Sequence, residues 1–337
     1  MLLGQLDAID EADFHDNVKF IDQDVSATAG LARYFATKNQ LLLSPPRGAE
    51  SPVPTVTEGN EQDGTVRIDG QSMTLNTLTH DLDATGGVST RTLPAKTKSA
   101  SARSPAFFEE GKEVDGTAAT VHYLSDAKRA SYHGTAGAPA VVWQDQNVIK
   151  ATDVEVEQDS GNLRASGDVD STFLLDSSSK GSPAGKPNDK PSKNTARAAT
   201  MVYRDADRRA VYTGLTEKPA TLQSSDGSVV TGLEITLELA TQERSLRRMI
   251  AKTGVYAEFE GGRAASGDSL TYDATTDAYT LTGKPAKVKV PQSEPNTTSC
   301  TLHRGTLLNF SLAGGVTGEG GGALVTQVRI GCAESIK

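Results

Sequence analysis

Histidine and cysteine are the side chains most able to bind a metal or take part in catalysis, and this 337-residue chain has few of them. It contains five histidines and two cysteines. Only His122 and His133 fall in one predicted hairpin, and no carboxylates stand at metal-ligand spacing beside them. We therefore interpret both as surface residues, and predict no metal site, no cofactor and no catalytic residue.

One glycine-rich segment, residues 318–323, matches the dinucleotide-binding fingerprint in spacing. That fingerprint needs a strand before it and a helix after it. Residues 324–330 have the composition of a strand, so the segment is interpreted as the loop of a hairpin. The chain also has no nucleophile elbow, P-loop or zinc-protease motif. These observations predict a protein that is not an enzyme.

Net charge and composition argue against two further classes of protein, nucleic-acid binders and proteins with a transmembrane helix. The net charge is −9, which argues against bulk attraction to nucleic acid. No apolar run is long enough for a transmembrane helix, and the first residues do not form a signal peptide. Either the protein is cytoplasmic or an export signal or anchor lies upstream, and the strand pattern at the start of the sequence favours the second expectation. Hydrophobic residues make up 36% and aromatic residues 5% of the chain, which is typical of a thin repeat architecture.

Internal repetition is the most informative pattern in the sequence. Three segments share a short strand ending in tyrosine, a polar turn, and a second strand ending in glycine eleven positions after the tyrosine. A proline then begins another predicted strand. Fainter copies surround Tyr34 and His80. The three clear copies are Tyr123–Gly134 with Pro139, Tyr203–Gly214 with Pro219, and Tyr272–Gly283 with Pro285.

These copies predict β-hairpins, because an Asp-rich turn reverses the chain between two strands and glycine then allows a bend. A hairpin cannot bury a face alone, so the copies must stack around a shared apolar interior. Alternate residues of each strand should point inward. The clearest stripe with a period of two runs from Leu233 through Ile235 and Leu237 to Leu239. The fold class predicted is all-β.

The segment 177–194 is rich in Ser, Gly, Pro and Lys and is predicted to be a flexible loop or linker. It divides the chain into a first module, residues 1–176, and a second module, residues 195–337, which ends in a Gly-rich hairpin. Residues 44–64 and 94–113 are predicted to be long loops inside the first module.

At its hairpins the chain resembles a known family. Gly267-Asp-Ser-Leu-Thr-Tyr-Asp273, followed by Tyr279-Thr-Leu-Thr-Gly-Lys-Pro-Ala-Lys-Val288, is similar to the repeat of the lipopolysaccharide-transport bridge proteins, also called organic solvent tolerance protein A-like. Phe14–Phe20 is similar to the strand that leads into such a repeat. The family includes LptA, LptC and the periplasmic part of LptD.

The resemblance implies an elongated open β-jellyroll, which is a folded-over antiparallel sheet with an apolar groove; the length would suit two stacked jellyroll modules. It also implies a periplasmic protein that carries lipopolysaccharide from the inner to the outer membrane. Its partners would be lipopolysaccharide and other transport proteins, or further copies of itself, joined head to tail through edge strands.

Inward-facing apolar residues would then contact the acyl chains, since each buried methylene contributes about 0.8 kcal/mol. The predicted lipid-binding residues are Val121, Tyr123, Val142, Val154, Val156, Met201, Tyr203, Leu233, Ile235, Leu237, Leu270, Tyr272, Val288 and Val290.

Cys300 and Cys332 are either a disulfide between neighbouring strands or two separate thiols.

Two other functions fit the repeats. A structural or adhesive β-solenoid at the cell surface would have a filled interior and no ligand. A polysaccharide-acting enzyme on a β-helix would need carboxylates clustered on one strand face, and the sequence does not place any there.

Overall fold

The structure is a computed structural model of the whole chain. It describes residues 10–48, 52–60, 62, 64–94, 108–109, 111–176, 191–241, 244–294, 297–318, 324–330 and 336. Among these residues, no helix is long and apolar enough to cross a membrane.

The described chain is almost entirely β-strand, and every ladder in it for which a register is known is antiparallel. The predicted all-β fold class is therefore confirmed. The strands are β1 Glu11–Asp22, β2 Val25–Phe35, β3 Gln40–Ser44, β4 Thr55–Asn60, β5 Gly64–Asp69, β6 Ser72–Asn76, β7 Leu82–Leu93, β8 Val114–Leu124, β9 Arg129–His133, β10 Ala140–Gln144, β11 Asn147–Ala151, β12 Asp153–Glu157, β13 Asn162–Leu175, β14 Ser192–Arg204, β15 Arg209–Thr213, β16 Ala220–Gln223, β17 Val229–Gly232, β18 Glu234–Leu239, β19 Leu246–Glu258, β20 Ala264–Asp273, β21 Ala278–Glu294, β22 Thr297–Phe310, β23 Val316–Gly318 and β24 Val325–Ile330.

The strands follow one pairing scheme that repeats along the chain. A long strand such as β8 pairs through its second half with β9 and through its first half with β10. A short strand, β12, then pairs with β9. The next long strand, β13, pairs with both β11 and β12. The sets β2–β7 and β14–β19 follow the same scheme, so each set brings two halves of a bent sheet together.

Each long closing strand bends at a two-residue bulge. In β7, Gly86 and Gly87 both have positive φ and stand opposite the single residue Ala119 of β8. Two consecutive positive-φ residues also occur in β1, β13 and β19. A bulge of this kind bends a strand and increases its twist, so these positions set where the sheet folds over. The other pairs are Asp16–Asn17, Gly167–Asp168 and Thr253–Gly254.

The bulge shifts the alternation of buried residues along the partner strand. In β8, Gly116 and Ala118 are buried before the bend, and Val121 and Tyr123 are buried after it. The inward face therefore moves from even to odd positions. A strict period of two holds within each half of the strand but not across the bend.

Contacts group the chain into two units. The first is Met1–Gly167 with Arg204–Ala206, and the second is Asp168–Tyr203 with Asp207–Lys337. Residues 168–176, which the sequence assigned to the first module, therefore pack in the second unit. Of the predicted linker, residues 177–190 lie outside the described residues, while Ser192–Asn194 are the first residues of β14. The linker itself stays a prediction.

Two sequence expectations about local structure are wrong. Residues 44–64, predicted to be a loop, contain β4, which pairs with β2 and β5. The third tyrosine–glycine copy does not lead to a separate strand at Pro285, because Gly283 and Pro285 both lie inside the continuous strand β21. A bulge between Thr282 and Ala286 takes the place of the expected break.

The strand β22 lies between β21 on one edge and β23 and β24 on the other. The last two strands pair with it at different points along that edge. Cys300 lies in β22 and is disulfide-bonded. The other cysteine of the chain, Cys332, lies outside the described residues.

Candidate lipid-binding interior

Most of the predicted lipid-binding residues lie in the interior of their unit. Ten are at most 3% exposed to solvent, and four are half-buried. The half-buried ones are Val156, Leu233, Tyr272 and Val290. Leu233 falls in a bend just before β18 rather than in a strand. The ten buried residues are Val121, Tyr123, Val142, Val154, Met201, Tyr203, Ile235, Leu237, Leu270 and Val288.

In the first unit the predicted residues belong to three cross-strand rows. Tyr123 and Val156 both pair with Ala130, which places them beside the row of Val121 and Val154 on one side of the bend, while Val142 lies on the other side. Val121 and Val154 both pair with Tyr132, so these three lie side by side across β8, β9 and β12. Val142 pairs with Gly116, which in turn pairs with Thr90 of β7. The sequence identified the valines of these rows but not the residues between them.

In the second unit the rows cross β15, β18, β19, β20 and β21. Ile235 pairs with Tyr212 on one side and Ala251 on the other, and Ala251 continues to Leu270. Leu237 pairs with Met249, which continues to Tyr272. Such same-face neighbours are the unit of sheet stabilisation, because their side chains contact each other directly.

A tyrosine hydroxyl joins the Val121 row of the first unit to the Val142 row across the bend. The Tyr132 hydroxyl lies 2.9 Å from Thr90 Oγ1, and both residues are buried. The ring crosses above Gly116, where an added Cβ would lie 2.6 Å from both Tyr132 Cε1 and Thr90 Oγ1. Glycine at position 116 therefore makes room for the ring. Burial raises the pKa of Tyr132, and the bond to Thr90 opposes this only in part.

The second unit repeats this arrangement with different residues. The Tyr212 hydroxyl lies 2.9 Å from Ser171 Oγ, and Ser171 Oγ also donates a hydrogen bond to the carbonyl oxygen of Ala196 at 3.3 Å. A serine hydroxyl has one proton, so Tyr212 donates to Ser171. Burial raises the pKa of Tyr212 well above the ordinary tyrosine value, and the bond to Ser171 partly opposes this.

Sequence reasoning missed Thr90, Ser171, Tyr132 and Tyr212 as partners, although a signal for the bend is present. The four strands before the hairpins share the pattern small–x–small–x–x–apolar–x–Tyr. The two small residues precede the bend, and the apolar residue and tyrosine follow it. The four instances are Ala27–Tyr34, Gly116–Tyr123, Ala196–Tyr203 and Ala265–Tyr272.

Thr236 is an exception to the expectation that every second residue of a strand is exposed. Next to the inward residues Ile235 and Leu237, it should point outward and be accessible. It pairs with Val211 and Ile250 on the outer face, and yet it is only 1% exposed. Its hydroxyl is buried and has no hydrogen-bond partner among the described residues. Thr236 would therefore be a poor solvent-exposed control in an experiment that probes Ile235.

The two candidate histidines lie on the outer surface, each beside an aspartate. His122 Nδ1 is 2.7 Å from Asp83, and His133 Nδ1 is 2.7 Å from Asp153. All four side chains are at least 43% exposed. Within the described part of the chain, no group of three or more His, Cys, Asp or Glu residues is placed to hold a metal ion.

Comparison with known proteins does not identify a family for the chain. No protein-family model matches the chain, and no curated protein matches it. Among solved structures, the chain is similar to LptH, described as the LptA-homologous periplasmic component of the lipopolysaccharide transport device of Pseudomonas aeruginosa. The identity is 17%, the match covers 42% of this chain and 82% of LptH, and the TM-score is 0.30. A match at this level does not establish a family.

Proposed function

We propose that the chain is a non-catalytic lipid carrier that holds acyl chains between the two halves of its bent sheet. The observation that carries the proposal is the repeated apolar interior. Rows on both sides of each bend present Val, Met, Leu, Ile and Tyr side chains to the inside, in both units. Acyl chains need only such a surface, because removing methylene groups from water is itself favourable.

The preferred cargo is lipopolysaccharide, and the proposed role is a periplasmic bridge from the inner to the outer membrane. The sequence resemblance at residues 267–288 suggests this cargo. The disulfide at Cys300 is in keeping with an oxidising compartment such as the periplasm.

The proposed bridge would assemble through strand edges. Among the described residues, β1 pairs along one edge only, with β2. An unpaired edge presents a row of free backbone donors and acceptors that another strand can join. We expect the apparent mass measured by light scattering to rise with protein concentration. A strict monomer at the highest concentration would count against assembly through this edge.

One observation favours a second function, that of a structural β-protein without a ligand. Met201, Tyr203, Leu237, Leu270 and Val288 are completely buried, so their side chains are covered by the protein itself. A carrier must therefore separate the two halves of its sheet before an acyl chain can enter, whereas a structural protein never needs to.

A photo-crosslinking pair on β12 distinguishes the two functions. Val156 faces the interior but is half-buried, so a bulky crosslinker there disturbs packing less than at a fully buried position. Its neighbour Glu155 faces the opposite side and serves as the matched control. The crosslinking amino acid is placed at each position in protein produced in a Gram-negative host.

Capture of lipopolysaccharide from position 156, with at least tenfold less from position 155, is the expected result. Equal capture at both positions would indicate surface adsorption. No capture at either position, in protein shown to be folded, would favour the structural function.

A further inference from the structure

The bond between Tyr132 and Thr90 connects parts of the sheet that the backbone ladders leave on opposite sides of a bend. Tyr132 lies in the row of Ala84 and Val121, before the β7 bulge, while Thr90 and Gly116 lie after it. In the second unit, Tyr212 of β15 likewise reaches Ser171, which follows the positive-φ residues Gly167 and Asp168 on β13. Each hydroxyl bond therefore crosses the interior.

The corresponding positions at the two ends of the repeat series carry no hydroxyl. Near the N-terminus the set is Phe20, Ala27 and Leu43, with Phe20 paired to Ala27 and Leu43 paired to Ala32. Near the C-terminus it is Ala257, Ala265 and Leu281. The same register thus holds a polar bond in the two middle sets and only apolar contacts in the outer two.

We propose that Tyr132 and Tyr212 are latches that hold the bent sheet closed around its interior, and that opening them admits an acyl chain. The ligand part of this proposal rests on the proposed function. A hydrogen bond between two hydroxyl groups in an apolar interior is directional, unlike a contact between methyl groups. Leaving either hydroxyl without a partner there costs free energy. The hydrogen bond therefore opposes partial separation of the two rows more sharply than a Leu–Phe contact does.

The opening has a direct physical consequence for the short strands. The strands β10 and β11 in the first unit, and β16 and β17 in the second, belong to the half of the sheet across the bend from the tyrosine, so they move away from the tyrosine row when the rows separate. Their amides then exchange hydrogen with solvent more often, since exchange follows local opening. The exchange rate thus reports latch opening without any lipid.

Paired variants remove each latch without leaving a buried hydroxyl unpaired. These are Tyr132→Phe with Thr90→Val, and Tyr212→Phe with Ser171→Ala. The control is Tyr256→Phe, because the Tyr256 hydroxyl bonds the exposed Glu258 at 3.5 Å and crosses no bend. Hydrogen exchange by mass spectrometry is measured in the full chain, together with the rate at which dansyl-labelled undecanoic acid binds.

We expect amide exchange in β10–β11 to rise about fivefold in the first paired variant, and in β16–β17 by a similar factor in the second, which is the factor expected for one ordinary hydrogen bond. Probe binding should accelerate in proportion, and Tyr256→Phe should change neither. Unchanged exchange in both paired variants would overturn the latch, whatever the probe does. Faster exchange with no probe binding in any protein would support the latch and count against the proposed function.

Discussion

The first and third tyrosine–glycine copies fold differently, although both run from a tyrosine through a polar turn to a glycine eleven positions later and then to a proline. After Gly134, the chain leaves the sheet and returns as β10, which pairs with the first half of β8. After Gly283, the chain continues as β21, which pairs with both halves of β20 from Asp273 back to Ala264. One long strand thus replaces two short ones.

The difference follows from the number of residues between glycine and proline. Four residues separate Gly134 from Pro139, and they allow a tight turn in which the amide and carbonyl groups of Thr135 and Ala138 bond each other. One residue, Lys284, separates Gly283 from Pro285. A single residue cannot reverse the chain, so the extra length is absorbed as a bulge. The spacing after the glycine, rather than the hairpin pattern, decides the topology.

Substitution of the two glycines tests this difference directly and should have the largest effect on the free energy of unfolding. A Cβ at residue 134 would lie 2.3 Å from the amide nitrogen of Ala140, whereas at residue 283 the nearest atoms are 3.0–3.1 Å away. We expect Gly134→Ala to lower the free energy of unfolding by about 3 kcal/mol and Gly283→Ala by about 1 kcal/mol, because overpacking against backbone cannot relax. Urea unfolding measures both.

Gly137→Ala is the matched control, since a Cβ there has no atom within 4 Å. It should change stability by less than about 0.5 kcal/mol. Equal losses at residues 134 and 283 would contradict the view that the two copies differ in backbone approach.

A second prediction concerns the small residue beneath the latch. Gly116→Ala should cost about 2 kcal/mol, because the new methyl group would collide with Tyr132 and Thr90. Adding Tyr132→Leu should recover part of that loss, since alanine already accompanies leucine at Ala27 with Leu43 and at Ala265 with Leu281. Additive losses in a double-mutant cycle would argue against direct contact.

The latch tyrosines also predict a pH dependence. Burial raises their pKa in the folded state above the ordinary value near 10, so both stay protonated when folded but ionise when unfolded. Their contribution is complete below pH 10 and is lost as the pH rises, by about 1.4 kcal/mol per pH unit for each tyrosine. Stability from pH 9 to 12 should fall less steeply in the Tyr212→Phe, Ser171→Ala protein. An unchanged slope would mean that Tyr212 is accessible to hydroxide.

The smallest expected effect lies on the outer face. Lys252 Nζ is 3.3 Å from Glu234 Oε1, and both side chains are at least a third exposed. Exposed pairs contribute little because water screens them. Glu234→Gln should therefore change the free energy of unfolding by less than about 0.5 kcal/mol, in contrast to its inward neighbour Ile235. Ile235→Ala should cost several times more, and similar losses would contradict the assignment of faces.

The hairpins could be predicted from the sequence because their signals are local. A polar four-residue turn with positive φ at its last residue connects β8 to β9, β14 to β15 and β20 to β21, and that residue is Lys128, Arg208 or Asp277. The inward residues could be predicted within one half of a strand, where alternation holds. They could not be followed across the bend, where two residues of β7 stand opposite one of β8.

Long-range contacts set the remainder of the interior. Thr90 and Tyr132 are 42 positions apart, and Ser171 and Tyr212 are 41 apart. No pattern within one strand connects such residues. Thr236 likewise has cross-strand neighbours, Val211 and Ile250, that no pattern within β18 identifies.

The most direct test of the central claim is mass spectrometry of the organic extract from the full chain, purified from a Gram-negative host. If the interior carries acyl chains, the extract contains lipid A or other long-chain lipid, and protein stripped of it takes up added lipopolysaccharide. An extract free of lipid, from folded protein that also takes up no added lipopolysaccharide, would contradict the carrier function.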